Sequence, residues 1–155
     1  MDIFTYFVAG DDYYKVASTM LRNTQYRVYL IMYQISLKGK ALDLVEELAN
    51  VAQHVPDVQF ILNYEGNKSL KNGVKDFLKQ FKGGYNIKVW IMEKTTAHAK
   101  VLITDNYLLL GSTNYSKRGM GVNYEANVVT NDPRAIAGAV NWFEEIRTQA
   151  TPVFP

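Results

Sequence analysis

Apolar and polar residues along this chain follow two periods, so the sequence predicts strands alternating with helices. Short runs of β-branched, aliphatic and aromatic residues indicate strands. Segments in which apolar residues recur every three or four positions indicate amphipathic helices. The predicted strands are residues 3–8, 28–35, 58–62, 87–92, 97–104, 107–110 and 126–129. This order predicts an α/β fold, in which a mixed β-sheet is covered by helices on both faces.

Four helices are predicted between and after these strands. They are residues 10–23, 40–53, about 70–81, and a segment that opens at Pro133. Gly10-Asp11-Asp12 is expected to cap the first helix, and Gly83-Gly84 is expected to end the third. The tail from Thr151 is expected to be extended. Because no linker, repeat or low-complexity tract interrupts the pattern, residues 1–155 are predicted to form a single domain.

A histidine and a lysine stand two residues apart in the predicted strand 97–104. Because strand side chains alternate between faces, His98 and Lys100 are expected to share one face and form a single patch. Asp105 lies seven residues from His98, so an unbroken strand would direct it to the opposite face. Asp105 is therefore predicted to be structural, pairing or capping at the turn that it forms with Asn106.

Further polar side chains follow the returning strand. After Gly111, the side chains of Ser112 and Asn114 are expected to share a face by the same two-residue period. A hairpin between the two strands would bring these groups beside His98 and Lys100. The sequence therefore predicts a cluster of donors around one imidazole.

A carboxylate completes this candidate cluster. In the last predicted strand, Glu125 and Asn127 fall on one side of the backbone. Glu125 is predicted to accept a proton from an imidazole nitrogen of His98 and to fix its tautomer. A lone histidine in a strand is more often a partly buried structural residue, but its combination with Lys100 and Glu125 favours a catalytic role.

This series of residues resembles the signature of the phospholipase D superfamily. That signature is His-x-Lys, four residues, Asp, about six residues and Gly-Ser-x-Asn, with an acidic residue downstream. Its members in this chain are His98, Lys100, Asp105, Gly111, Ser112 and Asn114, with Glu125 downstream. Five residues separate Asp105 from Gly111 here, which predicts a hairpin shorter by one residue. The resemblance covers nearly the whole chain and is strongest to the small, single-motif bacterial endonucleases of the superfamily.

The resemblance implies phosphodiester hydrolysis through a covalent phosphohistidine. His98 would attack phosphorus, and a second imidazole would protonate the leaving oxygen and later activate water. Lys100 and Asn114, with Ser112, would hold the non-bridging oxygens. Because the chain carries one motif, the second imidazole is expected from another subunit, in a homodimer that shares one active site. The resemblance implies no metal and no other cofactor.

The substrate has to be argued from the rim of this site, because the superfamily includes nucleases and lipid hydrolases. Lys117 and Arg118 are predicted to bind flanking phosphates, and Tyr64 and Tyr115 to stack on bases. We therefore predict a nuclease that cleaves DNA and/or RNA. The alternatives are a phospholipase D-type lipid phosphodiesterase and a non-catalytic nucleic-acid-binding module. No basic amphipathic helix with exposed aromatic residues is predicted, so no stable membrane association is expected.

Composition and charge limit these predictions without deciding among them. The 17 basic and 15 acidic residues give a net charge of +2, so any electrostatic attraction to nucleic acid must be local. The absence of cysteine excludes disulfides and thiolate metal sites. No apolar run is long enough to span a bilayer, and the first residues lack the features of a signal peptide. These features predict a cytoplasmic protein.

Overall fold

The computed structural model describes residues 2–81 and 86–154 as strands, helices and the segments that connect them. The strands are β1 Thr5–Ala9, β2 Arg27–Met32, β3 Asp57–Asn63, β4 Ile87–Met92, β5 Val101–Ile103, β6 Leu108–Gly111, β7 Ala126–Thr130 and β8 Thr151–Phe154. The helices are α1 Gly10–Arg22, α2 Lys40–Val51, α3 Lys68–Lys79 and α4 Pro133–Thr148. Within these residues the strands form one eight-stranded sheet in the order β1-β7-β6-β5-β2-β3-β4-β8.

The sheet has a parallel centre and antiparallel flanks. Strands β2, β3 and β4 are parallel, because α2 and α3 make the crossover connections between them. Strands β5, β6, β7 and β1 extend the sheet by antiparallel pairing on one side, and β8 pairs antiparallel with β4 on the other. The carboxyl ends of the three parallel strands therefore lie at one edge of the sheet.

Helices cover both faces of the sheet, as the sequence pattern predicts. Helices α1, α2 and α3 pack on one face, and α4 packs on the other. The alternation in β2 directs Leu30 into the first layer and Ile31 into the second. Phe143 of α4 lies over Tyr29, with ring centroids 4.9 Å apart. The prediction of a mixed sheet with helices on both faces is confirmed.

The predicted strand 97–104 is too long. Strand β5 covers only Val101–Ile103, and these residues pair with Ile31, Leu30 and Tyr29 of β2. Residues 97–99 lie outside the regular strand, whereas the Lys100 carbonyl still accepts from the Gly111 N–H of β6 at 3.3 Å. Strand β2 also ends earlier than predicted, and Ile35 forms an isolated bridge with Tyr115.

The start of α1 differs from the prediction. The cap residue of α1 is Ala9, with no side-chain hydrogen bond, and Asp11 and Asp12 lie in the first helical turn. The capping prediction for this segment is therefore wrong, although carboxylates in a first turn still interact favourably with the helix dipole. The predicted stop at Gly83-Gly84 lies outside the described residues.

Asp105 fixes the chain at the amino end of β2. Its carboxylate accepts hydrogen bonds from the backbone N–H groups of Gln25 at 2.7 Å, Tyr26 at 3.1 Å and Arg27 at 2.8 Å. The neighbouring turn is short, because the Thr104 N–H donates to the Tyr107 carbonyl at 3.0 Å. Asp105 therefore joins the β5–β6 turn to the start of the central strand.

The same contacts change the ionisation of Asp105. Partial burial opposes ionisation, but hydrogen bonds from the Gln25 and Tyr26 amides, the Thr24 side chain and the Arg27 amide outweigh it. The pKa of the Asp105 carboxyl is consequently below its ordinary value. Such a group contributes stability that is fully present above its unfolded-state pKa and is lost as pH falls through the lower folded-state pKa.

We expect Asp105→Asn to lower the free energy of unfolding by about 1–3 kcal/mol at neutral pH, because an amide oxygen replaces a charged acceptor. The difference from the wild type should narrow as pH falls below the ordinary aspartate pKa. Urea unfolding at a series of pH values measures both effects. Asp2→Asn, at an exposed carboxylate, serves as the control. A difference that does not change with pH would contradict this account.

Candidate active site

His98 and Lys100 lie in contact just before β5. Lys100 Nζ is 3.2 Å from His98 Nδ1 and 3.5 Å from His98 Nε2. His98 is exposed, whereas Lys100 is only 8% exposed. An ammonium only donates hydrogen bonds, so this contact is a hydrogen bond when the imidazole nitrogen that it faces carries a lone pair. An imidazole and a positive charge thus lie side by side in one patch.

Tyr33, which follows β2, forms the aromatic wall of this pair. The ring centroids of Tyr33 and His98 are 4.5 Å apart, and Lys100 Nζ lies 5.2 Å from the Tyr33 centroid. An ammonium at this distance from an aromatic ring makes a cation–π interaction. Tyr33 is not predicted as a site residue from the sequence, because it falls within a run of residues that is typical of a buried strand. No sequence spacing connects it with His98.

The segment that carries His98 is fixed from the neighbouring strand. The Ala97 N–H donates to the side-chain carbonyl of buried Asn63 at 3.0 Å, and Asn63 Nδ2 donates to the Glu65 carbonyl at 2.9 Å. The Thr96 hydroxyl donates to the Glu65 carboxylate at 2.6 Å. These bonds hold the irregular segment that carries His98, just before β5.

Glu125 binds Ser112 rather than the imidazole. The Ser112 hydroxyl donates to Glu125 Oε1 at 2.6 Å and accepts from the Ala126 N–H at 3.0 Å. Asn123 Nδ2 is 3.5 Å from the other carboxylate oxygen. Within the described residues, Glu125 makes no hydrogen bond to His98. The expected orientation of the imidazole by Glu125 is therefore absent from this structure.

Asn114 is held by its carbonyl oxygen. Its Oδ1 accepts from the Gln34 N–H at 3.2 Å, and Gln34 directly follows Tyr33. In the part of the chain that the structure describes, Asn114 Nδ2 has no hydrogen-bond partner. The donor end of this amide therefore remains available at the carboxyl end of β2.

The buried side chain of Asn127 fixes the segment between Gly111 and Asn114. Asn127 Oδ1 accepts from the Thr113 N–H at 3.3 Å, and Nδ2 donates to the Thr113 hydroxyl at 2.8 Å and to the Val8 carbonyl at 3.1 Å. A Cβ at position 111 would collide with Asn127 and with the Ala126 carbonyl. The glycine of the motif is therefore required by the close approach of two strands.

The prediction that Tyr115 stacks on bases is wrong. Tyr115 is 1% exposed, and its ring packs edge-on against Tyr13 with centroids 5.9 Å apart. It supports Asn114 from within the core. Tyr64 is half-buried at the end of β3, and Lys71 Nζ lies 5.3 Å from its ring centroid.

The charges of Lys100 and Glu125 are coupled. Burial lowers the pKa of the Lys100 ammonium below its ordinary value, and the negative charge of Glu125 opposes this effect. Glu125 therefore contributes to the site by favouring the charged form of Lys100. This role follows from position and does not depend on contact with His98.

The family described as cardiolipin synthase, PLD-like domain, matches residues 18–147 of this chain. The chain belongs to the phospholipase D superfamily. The protein is accordingly a phosphodiesterase of that superfamily. None of the curated protein sequences matches it.

Solved structures agree with this assignment of the fold. Nuc, a phospholipase D family member from Salmonella typhimurium, has a TM-score of 0.84 at 16% identity, covering 99% of this chain and 100% of that protein. NucT from Helicobacter pylori has a TM-score of 0.75 at 18% identity, covering 98% and 100%. TrmBL2, an archaeal chromatin protein with a novel mode of DNA binding, has a TM-score of 0.65 at 18% identity, covering 96% and 54%. At these identities the similarity shows the fold alone, and the predicted phospholipase D fold is confirmed.

The superfamily signature divides into two groups in this structure. His98 and Lys100 are in contact, Ser112 and Glu125 are hydrogen bonded, and Asn114 joins the end of β2. Asp105 instead lies at the opposite, amino end of β2.

Two exposed basic residues, Lys117 and Arg118, lie on the segment that follows Asn114. Within residues 2–81 and 86–154, no three His, Cys, Asp or Glu side chains cluster as metal ligands would. In the same residues, no helix combines the length and the hydropathy that crossing a bilayer requires.

We expect Glu125→Gln to lower the pKa of Lys100 further, because the substitution removes the negative charge that opposes desolvation. The basic limb of the pH–rate profile should move to lower pH. Titration of the lysine side-chain resonances by NMR checks the same shift without turnover. Glu144→Gln, on exposed α4 surface, is the matched control. An unchanged basic limb together with an unchanged Lys100 titration would contradict the coupling.

Proposed function

We propose that this protein is a metal-independent nuclease that cleaves DNA and/or RNA through a covalent phosphohistidine in a homodimer. The observation that carries the proposal is the 3.2 Å contact between Lys100 Nζ and His98 Nδ1. It combines an imidazole with a buried cation at an exposed edge of the sheet. Both groups would be needed to attack a negatively charged phosphodiester.

The reaction would proceed by two displacements at phosphorus. The lone pair of His98 forms an N–P bond as the P–O bond to the leaving group breaks, and that oxygen takes a proton from a second imidazole. The second imidazole, now neutral, removes a proton from water. The water oxygen then forms a P–O bond as the N–P bond breaks, which restores both histidines.

Lys100 and Asn114 would stabilise the charge on phosphorus oxygens. Lys100 Nζ already contacts His98, so a bound phosphate would replace the imidazole as its partner. Asn114 Nδ2 is available as a neutral donor, whereas the Ser112 hydroxyl proton is directed to Glu125. We therefore assign Ser112 to binding through the orientation of Glu125, which in turn favours the charged form of Lys100.

An exposed apolar patch beside the site supports the homodimer. Leu110 is 41% exposed and Val128, its partner across the β6–β7 ladder, is 37% exposed. Trp142 of α4 is 38% exposed and borders both a groove of 430 Å³ that includes His98 and a groove of 440 Å³ that includes Lys100. A two-fold axis through this patch would bring His98 of the partner subunit toward the same phosphorus.

Nucleic acid is the favoured substrate class. Lys117 and Arg118 would bind phosphates that flank the scissile bond. TrmBL2, whose fold is similar, binds DNA. The lipid alternative has its own support in the description of the matching family as a cardiolipin synthase. A purely non-catalytic binding module would not need an exposed imidazole in contact with Lys100, which is why catalysis is preferred.

We expect His98→Ala to reduce cleavage by roughly 10³-fold or more while the fold is retained, because the substitution removes both the nucleophile and the proton donor. Labelled single- and double-stranded DNA, RNA and phosphatidylcholine vesicles are compared in excess chelator. His54→Ala, at the only other histidine of the chain, is the control. Preferential hydrolysis of vesicles would establish the lipid alternative, and loss of activity on chelation would refute metal independence.

Subunit mixing tests the shared site. When His98→Ala chains exchange with wild-type chains, activity per wild-type chain should fall in proportion to the wild-type fraction, because a heterodimer holds one imidazole. His98→Ala chains that also carry Trp142→Glu should not inhibit, since a charge in the apolar patch prevents pairing. Activity that follows the amount of wild-type chain alone, or a fully active monomer by mass measurement, would contradict the shared site.

A further inference from the structure

Helix α3 carries a row of lysines along one face. Lysines recur at intervals of three or four residues, at Lys68, Lys71, Lys75 and Lys79. The apolar residues that attach α3 to the sheet lie on the opposite face. Lys68, Lys75 and Lys79 are exposed, and Lys71 lies over the ring of Tyr64. We call these four residues the α3 lysine row.

The α3 lysine row begins beside the candidate active site. A Cβ at Gly73 would collide with the Ile35 carbonyl, so this glycine allows α3 to pack directly against the segment after β2. A groove of 500 Å³ between them is lined by Gln34, Lys38 and Lys68, among others. The Gln34 N–H is also the donor to Asn114. The groove thus connects the first lysine of the row with the site.

A second connection runs through the loop before α3. Glu65, which binds Thr96 next to the His98 segment, follows Tyr64, whose ring supports Lys71. Two series of contacts therefore connect the start of the row with the site, one through Gln34 and one through Tyr64 and Glu65. Positive charge continues from the site along the helix for about 16 Å at 1.5 Å per residue.

We propose that the α3 lysine row binds the sugar-phosphate backbone of the nucleic-acid strand whose scissile phosphate lies at His98. The inference rests on the proposed nuclease function and adds the surface that holds the substrate away from the bond being cleaved. Regular spacing along one line suits a polymer that presents a phosphate at every residue. Lys79 contributes least, because it lies 3.8 Å from Asp76.

The residues between the lysines favour a polymer over a membrane. Ser69, Asn72 and Asp76 are the other exposed positions of α3, and all of them are polar. A helix that docks on a bilayer inserts exposed apolar or aromatic side chains between the lipids. The exposed face of α3 offers only charges and hydrogen-bonding groups, as a polyelectrolyte surface does.

Binding is measured in a His98→Ala background, so that cleavage does not interfere. The test variant Lys68→Gln/Lys75→Gln is compared with Lys15→Gln/Lys88→Gln, which removes the same charge from exposed positions on α1 and β4. Glutamine keeps the helix propensity of lysine. The affinity for a labelled single-stranded 20-mer is determined by fluorescence anisotropy over a series of salt concentrations. Binding to phosphatidylglycerol vesicles is measured in parallel.

We expect the test variant to bind the strand more weakly and to flatten the slope of log affinity against log salt by about 1.4, the loss of two phosphate contacts. The control should leave the slope unchanged. Equal slopes in the two variants, or a loss confined to vesicle binding, would overturn the inference. If the wild type cleaves nucleic acid while the slopes are equal, the proposed function stands without this surface. If the slope changes but the wild type cleaves no nucleic acid, the α3 lysine row is supported as a binding surface and the proposed nuclease activity is refuted.

Discussion

The buried side-chain amide of Asn127 forms hydrogen bonds through both its oxygen and its nitrogen. It joins the last residues of β1, through Val8, to the segment that carries Ser112 and Asn114, through Thr113. Because a buried amide without partners costs free energy, this arrangement is strongly preferred over others in which its groups are unpaired. The position of Asn114 at the end of β2 depends on it. So does the contact between Ser112 and Glu125, since both residues flank the strands that Asn127 connects.

A second buried asparagine fixes the backbone on the other side of the site. Asn63 holds the backbone of Ala97, one residue before His98. Amides in the core thus fix the two halves of the site from opposite directions, and each of these amides belongs to a strand of the sheet. Catalytic groups placed in this way need little rearrangement when charge develops on a substrate, which is the condition for effective electrostatic stabilisation.

Hydrophobic periodicity was sufficient to predict the layers, because burial on a given face is a local property of each strand or helix. The two-residue spacing likewise predicted that His98 and Lys100 share one patch, and their side chains are in contact. Strand ends were predicted less well, since the extent of β5 depends on its pairing with β2 and β6 and not on hydrophobicity alone. Tyr33 and Asn63 were not predicted to belong to the site, because the residues that they contact there are distant from them in the sequence. Tyr115 was wrongly predicted to bind the substrate because it is an aromatic residue next to the motif, whereas its side chain belongs to the core.

Asp105 stands in the superfamily signature, yet it fixes the amino end of β2, whereas the candidate active site lies at the carboxyl end of that strand. The signature therefore records two independent requirements, one for hydrolysis and one for folding. A related chain that had lost its histidine and lysine would still need an aspartate at this position to hold its central strand. A related chain that keeps only the aspartate and glycine of the signature is therefore expected to have this fold but no hydrolytic activity.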